Sequence, residues 1–385
     1  MFFVGYLLLA LLAPLARPVH AASSSWTSSV FQVQSAGSLN SSPFSTITSM
    51  GVENNFLMVL GPINPTADVQ AATGAKSQVF DQVWQARTNT TSAWLWAWSF
   101  SNGTVANSSA VYTALSVKKS SLQIAPNVLI LANKSNQTID VLFYWWLNPR
   151  TTSDWAAPAF KVAYPSGVAD ITKMSSLDNQ GGVYAVSASN GLYWTPVLQP
   201  LTTQPPSNNQ SMLVRQFNGT VQSIWMMQDF STMFVLEKNL PLAYTLWRWS
   251  ISGPRQLPDS KGTVVAKLSA ANETHVMTSL AVSPNTGNIF VGITNQTIAV
   301  LSNTGAPLGS IGTSFVNITS LELNEYTSLL YIGGTSGSVS QIDYFDTSAI
   351  AGPPISAAAG SLSAPGTWTV MTALFCALAA LHATM

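Results

Sequence analysis

Ser283-Pro284-Asn285-Thr286-Gly287-Asn288-Ile289-Phe290-Val291-Gly292 is the stretch from which the rest of the chain can be read. Its first half concentrates turn residues, each with its own reason: proline presets φ, Ser and Asn bond nearby backbone, and Gly accepts positive φ. Its second half is β-branched and aromatic, the composition of a strand. Upstream, His275 to Val282 reads as a preceding strand; downstream, a turn at Thr294-Asn295 leads into Thr297 to Leu301. The same order recurs as Ile318 to Leu323, Asn324 to Ser328, Leu329 to Gly333 and Val339 to Tyr344.

A repeat of about 40 to 50 residues made of short strands predicts blades packed around an axis. Carried back, the second strand of each unit falls at Phe56 to Leu60, Val128 to Leu131, Val183 to Val186, Met233 to Leu236, Ile289 to Val291 and Leu330 to Ile332. Innermost strands are expected at Ser45 to Met50, Val111 to Val117, Ile171 to Leu177, Val221 to Met227, Val276 to Val282 and Ile318 to Leu323. Third strands are expected around Trp84, Trp145 with Trp146, Trp194, Trp247 with Trp249, Val300 and Ile342; fourth strands at Ala93 to Phe100, Phe160 to Tyr164, Met212 to Phe217, Val264 to Leu268 and Pro307 to Ile311. The last unit lacks a fourth strand, and Phe31-Gln32-Val33-Gln34 precedes the first unit with no partner of its own. The reading is an all-β, six-bladed propeller of four-stranded blades, closed by this N-terminal strand. With the Ser283 to Gly292 stretch as its most specific feature, the chain resembles six-bladed β-propellers of the YVTN/quinoprotein-like and WD40-like superfamilies. That resemblance implies the fold and no particular activity.

Of 385 residues, 47% are hydrophobic and only 8% charged, with 15 basic residues balancing 15 acidic ones. Such a chain is too apolar for disorder and carries no basic excess for nucleic acid. The apolar run Phe2 to Leu15, followed by Val19-His20-Ala21, is expected to be a secretory signal peptide over residues 1–21. After a propeller domain over 22–346 and a Pro/Gly/Ala tether over 347–356, residues 357–385 resemble a GPI-attachment propeptide. Small residues Ser356 to Gly360 lead through a spacer to an apolar tail, Trp368 to Leu381, that is short for a span and lacks a basic stop. Ser356 is the expected attachment residue, with Ala357 and Ala358 as alternatives. Removing both ends takes away the single cysteine, Cys376, and leaves His275 as the only histidine. The mature domain then depends on its core without disulfides.

Sequons begin at Asn40, Asn89, Asn102, Asn107, Asn133, Asn136, Asn209, Asn218, Asn272, Asn295 and Asn317. Their number is about twice that expected by chance, and a glycan coat would supply the solubility that the missing charge does not. Because blade strands are antiparallel, loops joining fourth to first and second to third strands share one face. Nine sequons map to that face; Asn89 and Asn209 map to the other.

Candidate chemistry is sparse. Asp170 and His275 sit at innermost-strand starts, at the same end of a channel, where they are candidates for an acid–base pair. Lys173 is the one cation expected near the channel, and Glu322 the other carboxylate. No acidic cluster repeats between blades, so no metal or cofactor is expected. Ser187 to Trp194 looks like a degenerate sialidase Asp-box, with Ser189 and Tyr193 in place of its Asp and Thr. Trp94-Leu95-Trp96-Ala97-Trp98 and Trp247-Arg248-Trp249 place indoles at period two, which suits core packing or stacking on sugars. The leading functional expectation is a GPI-anchored, N-glycosylated binding, adhesion or structural module on the extracellular face of the plasma membrane. Its partners would be the outer leaflet and an extracellular protein or glycan. The alternative is a secreted propeller hydrolase or quinone-dependent oxidoreductase.

Overall fold

A computed structural model describes residues 30–32, 34–35, 46–53, 56–62, 81–87, 95–99, 112–117, 127–144, 160–178, 180–199, 204–207, 210–227, 231–251, 262–324, 327–337 and 339–350. The chain divides into two compact units, 1–352 and 353–385, and every described residue belongs to the first. The signal peptide, the tether beyond Ile350 and the expected attachment residues Ser356, Ala357 and Ala358 lie outside the described residues, as do Trp145 and Trp146.

The described strands form five sheets of four strands and one of five. In chain order the first is β3 (Ser49–Glu53), β4 (Phe56–Pro62), β5 (Asp81–Arg87) and β6 (Leu95–Ser99). The second is β7 (Tyr112–Val117), β8 (Asn127–Asn133), β9 (Thr138–Tyr144) and β10 (Phe160–Ala163). The third is β11 (Ile171–Met174), β12 (Gly182–Ser187), β13 (Gly191–Pro196) and β14 (Met212–Gln216). Next come β15 (Thr220–Met226), β16 (Thr232–Leu240), β17 (Ala243–Ser250) and β18 (Thr263–Ser269), then β19 (Met277–Val282), β20 (Ile289–Ile293), β21 (Thr297–Leu301) and β22 (Pro307–Gly312). The last sheet takes β23 (Asn317–Asn324), β24 (Leu329–Ser336) and β25 (Val339–Asp346). The innermost strands touch in the order β3, β7, β11, β15, β19, β23 and back to β3, so the sheets are blades of a closed β-propeller.

Closure is made by the N-terminal segment. β2 (Gln34–Ser35) pairs antiparallel with β25, Gln34 opposite Tyr344 and Ser35 opposite Asp343, and becomes the fourth strand of the last blade. The sequence reading assigned all of Phe31 to Gln34 to that blade, whereas the segment divides. β1 (Val30–Gln32) instead lies parallel to β22, Phe31 opposite Ile311, as a fifth strand on the preceding blade. Among the described strands nothing else pairs with the outer edge of β22, and an extended segment beside it satisfies a row of backbone groups. The first innermost strand also begins later than expected, at Ser49 instead of Ser45.

The second strands show why these blades read as continuous apolar runs. In β4, Leu57 and Val59 pack with Tyr331 and Ile342 of the last blade, while Met58 and Leu60 pack with Leu115 and Leu129 of the second. In β12, Val183 and Ala185 face the second blade's cluster, and Tyr184 and Val186 face the fourth's. Alternate side chains serve opposite neighbours, so both faces are buried and the usual polar alternation disappears. Each such aliphatic side chain contributes about 1.5–3 kcal/mol. The turn after β19 closes through Gly287 N–H to the Ser283 carbonyl at 2.8 Å, with Gly287 at φ 69°, as its glycine predicts.

Candidate functional site

Asp170 and His275 are not brought together. Asp170 precedes β11, and its carboxylate is held by Lys134 Nζ at 2.8 Å and by the Thr113 hydroxyl at 3.2 Å. His275 precedes β19, where its Nε2 accepts from Asn295 Nδ2 at 2.7 Å. β15 stands between the two strands in the ring, so each residue belongs to its own polar cluster. Beside Asp170, Asp140 of β9 is only 1% exposed and accepts from Thr138 Oγ1 at 2.7 Å, Asn133 Nδ2 at 2.9 Å and Tyr112 OH at 3.3 Å. Burial, reinforced by the Asp140 charge, pushes the Tyr112 phenol up; burial and then the Asp170 charge do the same for Tyr164. The Asp140 network ties the strands of the second blade together, and the Lys134 and Thr113 contacts to Asp170 join that blade to the third.

The described tryptophans of the third and fourth blades also have structural partners. Trp194 Nε1 donates to Asp178 Oδ2 at 2.8 Å, while the Gly182 and Gln180 N–H groups donate to Oδ1. Burial pushes the Asp178 carboxyl up, and those three hydrogen bonds oppose the shift. Trp247 Nε1 donates at 2.8 Å to Glu237, whose other oxygen accepts from Gly219 N. Trp247 stacks on Trp249 with centroids 5.8 Å apart, and the Arg215 guanidinium lies over Trp247 at 4.5 Å, near Phe217 and Trp249. The indoles therefore make a packed cation–π stack. Trp247→Ala should lower stability by about 2–4 kcal/mol in a denaturant melt, because it removes the stack and leaves buried Glu237 without its indole donor. A sugar platform would instead lose glycan binding at unchanged stability. Trp96 and Trp98 lie on β6, but their side chains, and all of Trp94, are outside the described residues.

The Ser187 to Trp194 stretch is a β12–β13 turn. Ser187 Oγ accepts from Gly191 N at 2.9 Å, and Asn190 takes φ 63°. Its contacts are structural and reach the next blade: Asn190 Oδ1 accepts from Val221 N at 3.2 Å.

A feature missed by motif reading emerges when the innermost strands are aligned. Each carries an apolar–polar–x–apolar tetrad whose third residue is small in five of the six: Ile47-Thr48-Ser49-Met50, Tyr112-Thr113-Ala114-Leu115, Ile171-Thr172-Lys173-Met174, Val221-Gln222-Ser223-Ile224, Met277-Thr278-Ser279-Leu280 and Ile318-Thr319-Ser320-Leu321. The outer members are buried in the inter-blade clusters. The second members are all half-buried, and in β7, β11, β15, β19 and β23 the pairing register slips there by one residue. A bulge leaves main-chain groups off the ladder, and a threonine hydroxyl can take one of them. Thr172, Thr278 and Thr319 donate to the Val186, Gly292 and Gly333 carbonyls at 3.3 Å. Thr113 and Thr278 also reach the Ile171 and Ile318 carbonyls of the following blade. Threonine hydroxyls thus tie the second blade to the third and the fifth to the sixth, with Lys173 the one charged member of the tetrads. The signal in the sequence was the recurrent Thr-Ser pair at the same offset in successive repeats.

No protein-family model matches the chain, and no curated protein does. Solved structures do. Calcium-binding regucalcin from Agrobacterium tumefaciens strain C58 is similar with a TM-score of 0.50 at 9% identity, over 82% of this chain and 94% of that one. The β-propeller domain of Cps50 (Swd1) from Myceliophteria thermophila gives 0.46 at 9% identity, over 78% and 97%. Sqt1 from Chaetomium thermophilum, solved bound to the N-terminus of ribosomal protein L10, gives 0.43 at 14% identity, over 83% and 74%. What is shared is the propeller fold. Among the described residues no group of three or more His, Cys, Asp or Glu side chains is placed to hold a metal ion.

Proposed function

We propose that this propeller is a GPI-anchored, N-glycosylated cell-surface module that binds an extracellular protein or glycan through the face formed by its fourth-to-first and second-to-third strand loops. The observation that carries the reading is the placement of sequons. Asn136, Asn218, Asn272, Asn295 and Asn317 are all exposed, and all sit in or beside those loops. Asn272 Oδ1 accepts from both the N–H and the hydroxyl of Thr274, so its acceptor end is used within the turn. Asn295 would have to release His275 to carry a sugar. Asn133 stands apart: it is 1% exposed, with both ends of its amide engaged, and is left out of the glycan set. Asn40, Asn89, Asn102, Asn107 and Asn209 lie outside the described residues.

In this reading the charge-poor body gains solubility from its sugars, and the Ser356 to Gly360 region is exchanged for a lipid that leaves the protein on the outer leaflet. Expression in a eukaryotic cell tests it. Phosphatidylinositol-specific phospholipase should release the protein from intact cells, and a chain ending at Ile355 should go to the medium. Continued attachment after either treatment would end the anchor proposal. The released ectodomain, residues 22–350, probed on glycan and protein arrays, should give at least one saturable ligand.

A further inference from the structure

We propose that the outer edge of β22 is a strand-docking site, and that its occupant, the strand Val30–Gln32, is exchanged between two copies of the chain to form a two-fold dimer. This concerns the propeller body and is independent of anchor and glycans. The fifth blade already has four strands, β19 to β22, and β2 alone supplies the fourth strand of the last blade, so β1 is supernumerary to the ring. Among the described strands, this is the one sheet with a fifth. The outer strands differ in a way that explains the choice of edge. Charge on an outer strand guards it against pairing with another chain. β10 and β18 each carry an exposed lysine, Lys161 and Lys267, and β14 carries Arg215, whereas β6 and β22 carry no charge. Of those two unguarded edges, β22 is the one with an added strand, in the register Val30 opposite Ser310, Phe31 opposite Ile311 and Gln32 opposite Gly312. Val30-Phe31-Gln32 is uncharged as well, so neither partner repels the other. The sequence that fits this edge is therefore carried by every copy.

The energetics of the pairing favour exchange. It is parallel, the less stable kind of ladder per residue, and only three residues long. Short strands near a chain end open at a far lower free energy than the whole domain. Exchange restores on the second copy each backbone bond given up on the first, which is why swapping an identical element is a low-cost route to dimers. Val33 alone separates β1 from β2, so the strand that leaves emerges beside its own acceptor edge. Donor and acceptor then lie together on each copy, and one two-fold axis satisfies both exchanges. A foreign extended segment would find the same edge but would have to displace β1 without offering its own edge in return.

The test uses the secreted ectodomain, which lacks the single cysteine, Cys376. Two variants, Gln32→Cys and Gly312→Cys, are co-expressed, so that a disulfide between positions 32 and 312 can form only when β1 of one copy lies on β22 of the other. Peptide mapping should find that linkage in a covalent dimer. Moving the acceptor out of register, with Pro307→Cys in place of Gly312→Cys, should lower its yield about tenfold, since parallel register places Gly312 and not Pro307 beside Gln32. A chain carrying both Gln32→Cys and Gly312→Cys gives the reference for the unexchanged state. An internal bond in that chain with no linked dimer in the mixture would overturn the proposal, as would equal yields in and out of register. Sedimentation of the cysteine-free ectodomain gives an independent readout. A dimer should appear as concentration rises to about 100 μM, and Phe31→Pro should weaken it about tenfold. A monomer throughout, or a dimer indifferent to Phe31→Pro, would overturn the exchange.

Discussion

Deletion of residues 22–36 should abolish secretion or reduce it at least tenfold. The removed segment contains β1 and β2, which attach to different blades: β2 completes the last blade along β25, and β1 covers the outer edge of β22. Their loss opens two sheet edges, and open edges invite pairing with other chains. Each lost ladder bond is worth about 1 kcal/mol net. Several together are a large share of the roughly 5–15 kcal/mol that holds a domain folded. Point variants separate the two halves. Phe31→Pro should weaken only the β1–β22 pairing, and Gln34→Pro only the β2–β25 pairing, with melting temperatures below wild type in both and lowest in the deletion. Normal secretion of the deletion with an unchanged melting temperature would refute closure by this segment.

The closing strand was legible in the sequence for a simple reason: a blade without its last strand and a strand without a blade imply each other. Its division was not legible. Pairing parallel to an outer edge needs no hairpin, leaves no turn signature and imposes no new side-chain period, so Val30 to Gln32 looked like the start of the same strand. The blades themselves were readable because strands such as β12 and β20 are buried on both faces and stay apolar throughout. At the first innermost strand the β-branched Thr46-Ile47-Thr48 suggested an early start, whereas the ladder is assigned only from Ser49, with Thr48 N bonded to the Leu60 carbonyl just before it.

Side-chain roles were harder to read than strands, because a polar residue acquires its role from a partner that topology supplies. Asp170 has the chemistry of a general acid, but Lys134 from the β8–β9 turn and Thr113 from β7 convert it into a clamp between blades. His275 reads as a lone catalytic candidate until Asn295, across the open end of the β19–β20 hairpin, is placed against its ring. The tetrads were visible in principle, yet small polar residues are also what turns contain, so without knowing that five of the six sit at a bulge there was nothing to set them apart.

Replacing Asp140 by alanine should destabilise the domain by about 3–5 kcal/mol, among the largest single-residue effects expected here. The substitution takes an acceptor from two buried donors, on Tyr112 and Asn133, and from a half-buried one on Thr138. Asp140→Asn should fall between, since its Oδ1 still accepts while its Nδ2 confronts a donor. The same network makes a prediction about modification. An N-glycan on Asn133 would occupy the nitrogen that donates to Asp140 and would need space where the residue has almost no exposure. Glycopeptide mapping of the folded, secreted protein should therefore find Asn133 bare and Asn136, exposed three residues later, occupied. Asn133→Gln should lower stability by about 1–3 kcal/mol, whereas Asn136→Gln should remove a glycan and change intrinsic stability by no more than about 0.5 kcal/mol. A stable protein glycosylated at Asn133, or an Asp140→Ala variant that melts with the wild type, would show that this network does not hold the second blade in place.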